Sequence, residues 1–356
     1  MTQHYKYSKT IRLWLITGLI MLIGQVILGG ITRLTGSGLS ITRWDIVSGV
    51  IPPLNTQQWQ DAFNLYKQTP QYHKLNTHFT LRNFKFIYFW EYTHRLWVRI
   101  LGFIFLIPFI IFLIRKKINF YLIKRLGYVI FFTALTASAG WIMVKSGLID
   151  RPWVDAYKLS LHFILAVLSI SAMVKTVADV YNYKNTVEKR QNSKLILVLI
   201  SITFLQLLFA GLMAGMKAGL YFSTWPDMNG QFIPNTLLAS ENWTWSNLTN
   251  YDRFTFAPAL VQFTHRLLAY ILLTLTIYIF FKLKTQASKL AQNWLKISLV
   301  LIILQLILGI ATLLNIRVGI PLFYGVAHQL VGILFFISIL FLYFSVKEST
   351  KKTASE

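Results

Sequence analysis

The chain contains no cysteine and few charged residues. The first absence excludes disulfides, thiolate nucleophiles, iron–sulfur clusters, cysteine-ligated zinc and covalent C-x-x-C-H haem attachment. Charged residues make up 13% of the sequence, about half of the roughly 25% that soluble proteins carry. Acidic residues are especially scarce, at 12 Asp+Glu against 35 Lys+Arg.

Hydrophobic residues are abundant, at 55% of 356 residues, and the mean hydropathy is +0.53. This surplus of apolar surface excludes a water-soluble fold. The net charge of +23 would suggest nucleic acid in a soluble domain. In a membrane protein it is better explained by basic cytoplasmic loops, so no nucleic-acid partner is expected.

Eight segments are long and apolar enough to cross a bilayer, which takes about 20 residues in a helix. The sequence therefore predicts an all-α integral membrane protein with eight transmembrane helices. The segments lie roughly at 11–31, 86–114, 125–144, 157–179, 195–216, 257–281, 294–314 and 321–346.

Basic residues in the loops predict the orientation, because cytoplasmic loops carry an excess of Lys and Arg. They concentrate in both terminal segments and in the loops after the second, fourth and sixth spans. Both termini are therefore expected in the cytoplasm, with the protein in the cell inner membrane, or the mitochondrial inner membrane if the source is eukaryotic. The basic residues used are Lys6, Lys9, Arg12, Arg115, Lys116, Lys117, Lys124, Arg125, Lys184, Lys189, Arg190, Lys194, Lys282, Lys284, Lys289, Lys347, Lys351 and Lys352.

The sequence repeats itself, which predicts two four-helix halves, residues 1–184 and 185–356. The second span contains WEYTHR at 90–95 and the sixth contains VQFTHR at 261–266. His162 in the fourth span is matched by His328 in the eighth. An even number of spans per half predicts parallel repeats related by an axis along the membrane normal. Small residues at 211, 214 and 215 predict close helix contact.

Four histidines lie inside these spans, two in each half: His94, His162, His265 and His328. Ionisable groups in a bilayer are costly and are usually functional. Counting from the span ends places all four about 8–12 Å below the outer surface. No acidic cluster accompanies either pair, so zinc and di-iron sites are disfavoured. Two facing imidazoles in an apolar slot favour a bis-histidine b-type haem in each half.

Charged neighbours distinguish the two sites. Arg95 and Arg266 directly follow two of the histidines, and arginine binds carboxylates such as haem propionates. Lys158, one turn before His162, and Arg99 are further candidates. Glu91 precedes His94 by three residues, whereas Gln262 precedes His265. Because only the carboxylate can titrate, the N-terminal half is predicted to be reactive and the C-terminal half to hold a fixed cofactor.

These residues and several linked motifs strongly resemble the heme A synthase family, which converts heme O to heme A for terminal oxidases. The resemblance covers nearly the whole chain and implies two pseudo-symmetric four-helix bundles. Besides the stretch at 90–99, the motifs are RLTGSGLS at 33–40, SGL at 146–148, TWP at 224–226, QFTHR at 262–266, LGIATLL at 308–314 and AHQ at 327–329.

The resemblance implies a role for each site residue. His265 and His328 would be axial ligands of a retained haem b, and His94 and His162 would flank the substrate haem. Glu91 would match the glutamate on the reactive side. The implied reaction oxidises the C8 methyl group of heme O to a formyl group through successive hydroxylations, with water supplying the oxygen.

Several positions depart from the family pattern. Many members carry a cysteine pair in an outer loop, so this chain resembles the cysteine-free branch, as in proteobacterial and mitochondrial members. Val98 stands where glycine is frequent, Lys158 where arginine is common, and Asp45 where lysine is more usual. The proposed ligands are all retained, so the departures concern details of substrate contact.

Two other functions are compatible with parts of the pattern. A di-haem b-type membrane cytochrome that takes electrons from quinol would share the four histidines and the basic residues. A transporter built from repeats would show broken helices at mid-membrane, which the sequence does not suggest. The expected partners are heme O, an unidentified electron acceptor or donor, membrane lipid and, by resemblance, a heme O synthase.

Overall fold

The computed structural model describes residues 7–42, 51–147, 151–181 and 190–346. Twelve α-helices lie in this part of the chain. They are α1 (Lys9–Leu34), α2 (Thr56–Tyr66), α3 (Pro70–Leu75), α4 (Leu81–Ile114), α5 (Phe120–Gly147), α6 (Ala156–Val180), α7 (Arg190–Gly215), α8 (Asn235–Leu238), α9 (Trp245–Thr249), α10 (Phe256–Leu283), α11 (Lys289–Leu314) and α12 (Leu322–Val346). Short 3₁₀ turns cover Ala218–Leu220 and Ser240–Asn242.

Eight of the helices are long and apolar enough to span a membrane: α1, α4, α5, α6, α7, α10, α11 and α12. This confirms the prediction of an all-α, eight-span membrane protein. Four of them, α4, α5, α7 and α11, begin five residues earlier than predicted. For α4 the cause is a capping box between Thr80 and Asn83, which satisfies the first amide groups of the helix.

Helix α4 is also longer than the bilayer is thick. Its 34 residues extend about 51 Å at 1.5 Å per residue, against about 30 Å for the hydrocarbon core. The extra turns are covered by the segment between α1 and α4, where α2 packs on α4 through Phe63, Tyr66, Phe84 and Ile87, and Tyr72 of α3 packs against this cluster. His94 is therefore the fourteenth residue of its helix, although the sequence placed it five to eight residues from the outer edge.

The long helices pack in corresponding pairs within the two halves of the chain. Helix α1 contacts α4 and α6, and α5 contacts α6. In the second half α7 contacts α10 and α12, and α11 contacts α12. The halves meet through α6 with α7, α1 with α12 and α6 with α12. Two pseudo-symmetric bundles stay a prediction, and the proposed boundary at 184/185 lies outside the described residues.

The contact between α6 and α7 depends on small residues. A Cβ atom at Gly211 would lie 2.8 Å from the Cα atom of Ser160, and one at Gly215 would lie 2.5 Å from that of Ala156. Both helices thus present small residues four positions apart, which lets their backbones approach closely. The predicted close contact at 211 and 215 is confirmed.

The orientation in the membrane stays a prediction. Some residues that support it lie outside the described part of the chain: Lys6, Lys184, Lys189, Lys347, Lys351 and Lys352. Asp45, one of the departures from the family pattern, lies outside it too.

Candidate functional site

The C-terminal half brings the imidazole of His265 on α10 close to that of His328 on α12, with the ring planes inclined at 65°. Their ring centroids are 6.4 Å apart. Two imidazoles on opposite sides of one metal need a similar distance. A metal–nitrogen bond of about 2.0–2.1 Å plus about 1.1 Å to each ring centre gives about 6.2–6.4 Å. The two side chains are therefore spaced as axial ligands of a single iron would be.

Hydrogen bonds orient these two imidazoles. The Nδ1 atom of His328 lies 3.1 Å from the carbonyl oxygen of Gln305. Nδ1 therefore carries the proton, and Nε2 keeps its lone pair. Nε2 of His328 lies 3.3 Å from Nε2 of Gln305. The Nδ1 atom of His265 is buried with no hydrogen-bond partner among the described residues. A backbone carbonyl that fixes the tautomer is the usual support for a metal-binding histidine.

The N-terminal half repeats this arrangement around His162 on α6. Its Nδ1 atom lies 2.9 Å from the carbonyl oxygen of Thr136 on α5. Glycines allow both α6 and α12 imidazoles to lie against the neighbouring helix. A Cβ atom at Gly140 would lie 2.8 Å from Cε1 of His162, and one at Gly309 would lie 2.9 Å from Cε1 of His328. This role of the glycines was not predicted from the sequence, although each precedes its histidine, by 22 residues for Gly140 and by 19 for Gly309.

His94 on α4 completes the N-terminal pair. Its imidazole packs against α1, where a Cβ atom at Gly29 would lie 3.3 Å from Nε2 of His94. His162 lies within range for the charges of the two imidazoles to interact. Gln25 donates to the carbonyl oxygen of His94 at 3.2 Å, and Gln206 donates to that of His265 at 3.0 Å. The same glutamine bond thus holds the first histidine of each pair.

The Glu91 carboxylate is buried and fully hydrogen-bonded. Its Oε2 atom accepts from the backbone amide of Ser40 at 2.7 Å, from the Ser40 hydroxyl at 2.6 Å and from the Ile41 amide at 2.9 Å. Its Oε1 atom pairs with Arg95 at 2.5 Å. Four donors match a carboxylate, which only accepts. Glu91 therefore fastens the loop after α1 to the helix that carries His94.

Gln262 is bonded in the opposite sense. Its amide nitrogen donates to the carbonyl oxygen of Phe222 at 2.6 Å, while its Oε1 atom is buried without a partner among the described residues. The two positions therefore differ in hydrogen-bond polarity: Glu91 accepts from the loop at 40–41, whereas Gln262 donates to the loop at 222. The reactive and cofactor-holding roles of the two halves stay predictions.

Both arginines that follow a histidine reach an outer loop. Arg266 donates to the carbonyl oxygens of Asp227 at 2.6 Å, Thr224 at 2.8 Å and Phe222 at 3.2 Å. Arg95 reaches the carbonyl oxygen of Ile41 at 3.4 Å. Sequence reasoning assigned these guanidinium groups to propionates and missed their contacts with the loops.

The remaining candidate, Lys158, is half-buried in the first turn of α6, one turn before His162. Its backbone amide donates to the Asp155 side chain, which caps the helix. Asp155 also belongs to a polar cluster that joins outer loops of the two halves. The buried Tyr251 hydroxyl donates to Asp155 at 3.1 Å and accepts from Arg151 at 2.7 Å. Burial and Asp155 raise the pKa of Tyr251, so its hydroxyl remains a donor.

Comparisons with known proteins agree with the resemblance seen in the motifs. Residues 12–340 match the model of the COX15-CtaA family, described as cytochrome oxidase assembly protein. A heme A synthase of Flavobacterium psychrophilum is 39% identical over 330 residues, which are 91% of this chain and 94% of the relative. Heme A synthases of Nitrosospira multiformis and Wolbachia pipientis are 37% and 38% identical, covering 95% and 96% of this chain and 94% and 95% of those relatives.

Proposed function

This chain belongs to the COX15-CtaA family, with relatives named heme A synthase, and we propose from that premise how its histidine pairs act. The protein is a multi-pass membrane oxidoreductase that converts heme O to heme A. The observation that carries the proposal is the arrangement of the histidines. One chain holds two pairs, and in one pair the ring centroids are 6.4 Å apart, the spacing that two imidazoles holding one iron would need.

We assign haem b to the C-terminal half, with His265 and His328 as its iron ligands. Supporting this, His328 is fixed by the Gln305 carbonyl, Nε2 of His265 lies 3.4 Å from the Gln206 amide nitrogen, and the two rings are 6.4 Å apart. Arg266, at the outer end, is placed to approach a propionate as well as its loop. When bound, haem b supplies one-electron redox chemistry beside the substrate site.

The substrate heme O is assigned to the N-terminal half. His94 and His162 would flank its iron, and Arg95 and Lys158 would face its propionates at the outer end. Conversion of the C8 methyl to a formyl group takes up one oxygen atom from water. It releases four electrons and four protons, and the electrons pass to an external acceptor.

Glu91 is the residue of this chain that we assign to the reactive side. It lies three residues before His94 on the same helix face, and four hydrogen-bond donors hold its carboxylate in place. A fixed negative charge stabilises positive charge that develops as the methyl group is oxidised. The carboxylate also holds the loop at 40–41 against the helix that carries His94.

Orientation and partners complete the proposal. Both termini lie in the cytoplasm, so the histidine pairs are near the outer face. A heme O synthase in the same membrane is the expected source of substrate.

The proposal is tested by supplying heme O and an electron acceptor to the purified protein in lipid nanodiscs and measuring the masses of the extracted haems. We expect a product in which one oxygen replaces two hydrogens of heme O. His94→Ala is the matched control, because it removes a substrate-side ligand and leaves His265 and His328 in place. Unchanged heme O with reversible haem reduction would instead identify a di-haem cytochrome.

A further inference from the structure

We propose that the gap between α4 and α5, called the α4–α5 seam below, is a lateral opening toward the bilayer. The isoprenoid tail of the substrate haem lies in this opening. This rests on the proposed function, since it takes heme O as the ligand of the N-terminal half. Heme O differs from haem b in carrying a long isoprenoid tail. The half of the protein that binds heme O therefore needs space for this apolar tail. The half that binds haem b does not.

The two halves differ at this seam. In the C-terminal half, α10, which carries His265, packs against its neighbour α11. The equivalent helices of the N-terminal half, α4 and α5, scarcely approach each other along their described lengths. Helix α5 instead packs mainly on α6. The N-terminal half is thus open to the membrane on a side where the C-terminal half is closed.

The open seam leads to the substrate histidines. Helix α4 carries His94, and α5 supplies the two positions that support His162, the Thr136 carbonyl and Gly140. A haem held between these imidazoles therefore has the α4–α5 seam at its edge. A tail leaving that edge passes directly into lipid without crossing a polar loop.

One glycine on each of these two helices has open space around it. Gly102 lies on α4, two turns below His94, and a Cβ atom there would have nothing within 4 Å. The same is true of Gly127 on α5. The position equivalent to Gly102 in the sixth span, by the same offset that relates His94 to His265, is Leu273. Leu273 packs against the hydrophobic core. The C-terminal half thus has a large side chain where the N-terminal half has space.

The first test compares Gly102→Leu with Leu273→Ala in heme O turnover. Leucine at 102 makes the N-terminal seam resemble the closed one. We expect KM for heme O to rise about tenfold with kcat retained, the loss that follows from displacing about two buried methylene groups. Haem b should remain bound. Leu273→Ala, the matched control in the other half, should leave KM unchanged. An unchanged KM in Gly102→Leu contradicts the proposal.

The second test identifies the occupant of the seam directly. A photoreactive diazirine amino acid is placed at position 102, at position 127 in a second variant, and at position 273 as the control. After illumination with heme O present, mass spectrometry should find a heme O adduct at 102 or 127 and none at 273. Lipid adducts alone at 102 and 127, in protein that still forms heme A, overturn the opening. Absence of heme A from the parent protein would instead overturn the proposed function.

Discussion

Replacing Glu91 by glutamine separates the chemical role of the carboxylate from its role in holding the outer loop. In Glu91→Gln the amide oxygen can take the position of Oε2 and keep the bonds from Ser40 and Ile41. The amide nitrogen then faces Arg95, so a donor meets a donor where a 2.5 Å ion pair stood. A hydrogen bond to a charged group contributes about 1.5–3 kcal/mol, which sets the expected loss of stability.

The expected loss of activity is larger than this structural effect. If the carboxylate handles a proton or stabilises developing charge, heme A formation should fall about 10²–10⁴-fold. Haem b should stay bound, because His265 and His328 are untouched, and heme O or a hydroxylated intermediate should accumulate. The assay is mass analysis of extracted haems over time, with thermal unfolding measured on the same samples.

Ser40→Ala is the matched control for this prediction. It removes the 2.6 Å hydroxyl bond to Glu91 and leaves the carboxylate with two backbone amides and Arg95. Its stability should fall by a similar amount, about 1.5–3 kcal/mol, while most activity remains. Equal loss of activity in both variants would show that only the loop anchor matters. Near-parental heme A output from Glu91→Gln would refute a chemical role.

Three further predictions concern the cofactor site and the topology. His265→Ala or His328→Ala should lose most low-spin haem b absorbance, and full retention in both would contradict the assignment of the cofactor half. Gly309→Ala should weaken haem b binding, because the new Cβ atom would lie 2.9 Å from the His328 ring. Titration of the haem-depleted protein with haem b measures the affinity, and an unchanged affinity would contradict this prediction. With cysteine introduced in turn at Ser240 and Ser288, an impermeant maleimide on intact cells should label 240 and spare 288, whereas the reverse pattern would invert the topology.

The eight spans and the two histidine pairs could be predicted because their signals are local. Apolar runs of membrane length specify helices whatever their partners. The repetition of His94 at His265 and of His162 at His328 can be seen without knowing how helices pack. Helix ends were less predictable, since the start of α4 depends on the cap at Thr80 and on an outer loop that packs on its first turns.

The supporting contacts could not be predicted, because they join residues far apart in sequence. Nothing near Gly140 indicates that the His162 ring lies against it. Arginine beside a histidine suits a propionate and a backbone carbonyl equally well, so only the fold reveals that Arg266 reaches the loop at 222–227. Likewise, the sequence shows that Glu91 offers a carboxylate near His94. Its hydrogen-bond partners Ser40 and Ile41 lie about fifty residues earlier in the chain, so the sequence does not reveal them.

On α4 and on α10, a histidine of each pair is followed directly by the arginine that anchors a loop. Arg95 follows His94 and holds the loop through Glu91 and Ile41; Arg266 follows His265 and holds four loop carbonyls. Rotation of either helix that re-aims its imidazole must also displace the neighbouring guanidinium. Each histidine pair is thus mechanically coupled to a loop at the end of its helix. A change of geometry at the buried pair should therefore be detectable as a displacement of that loop.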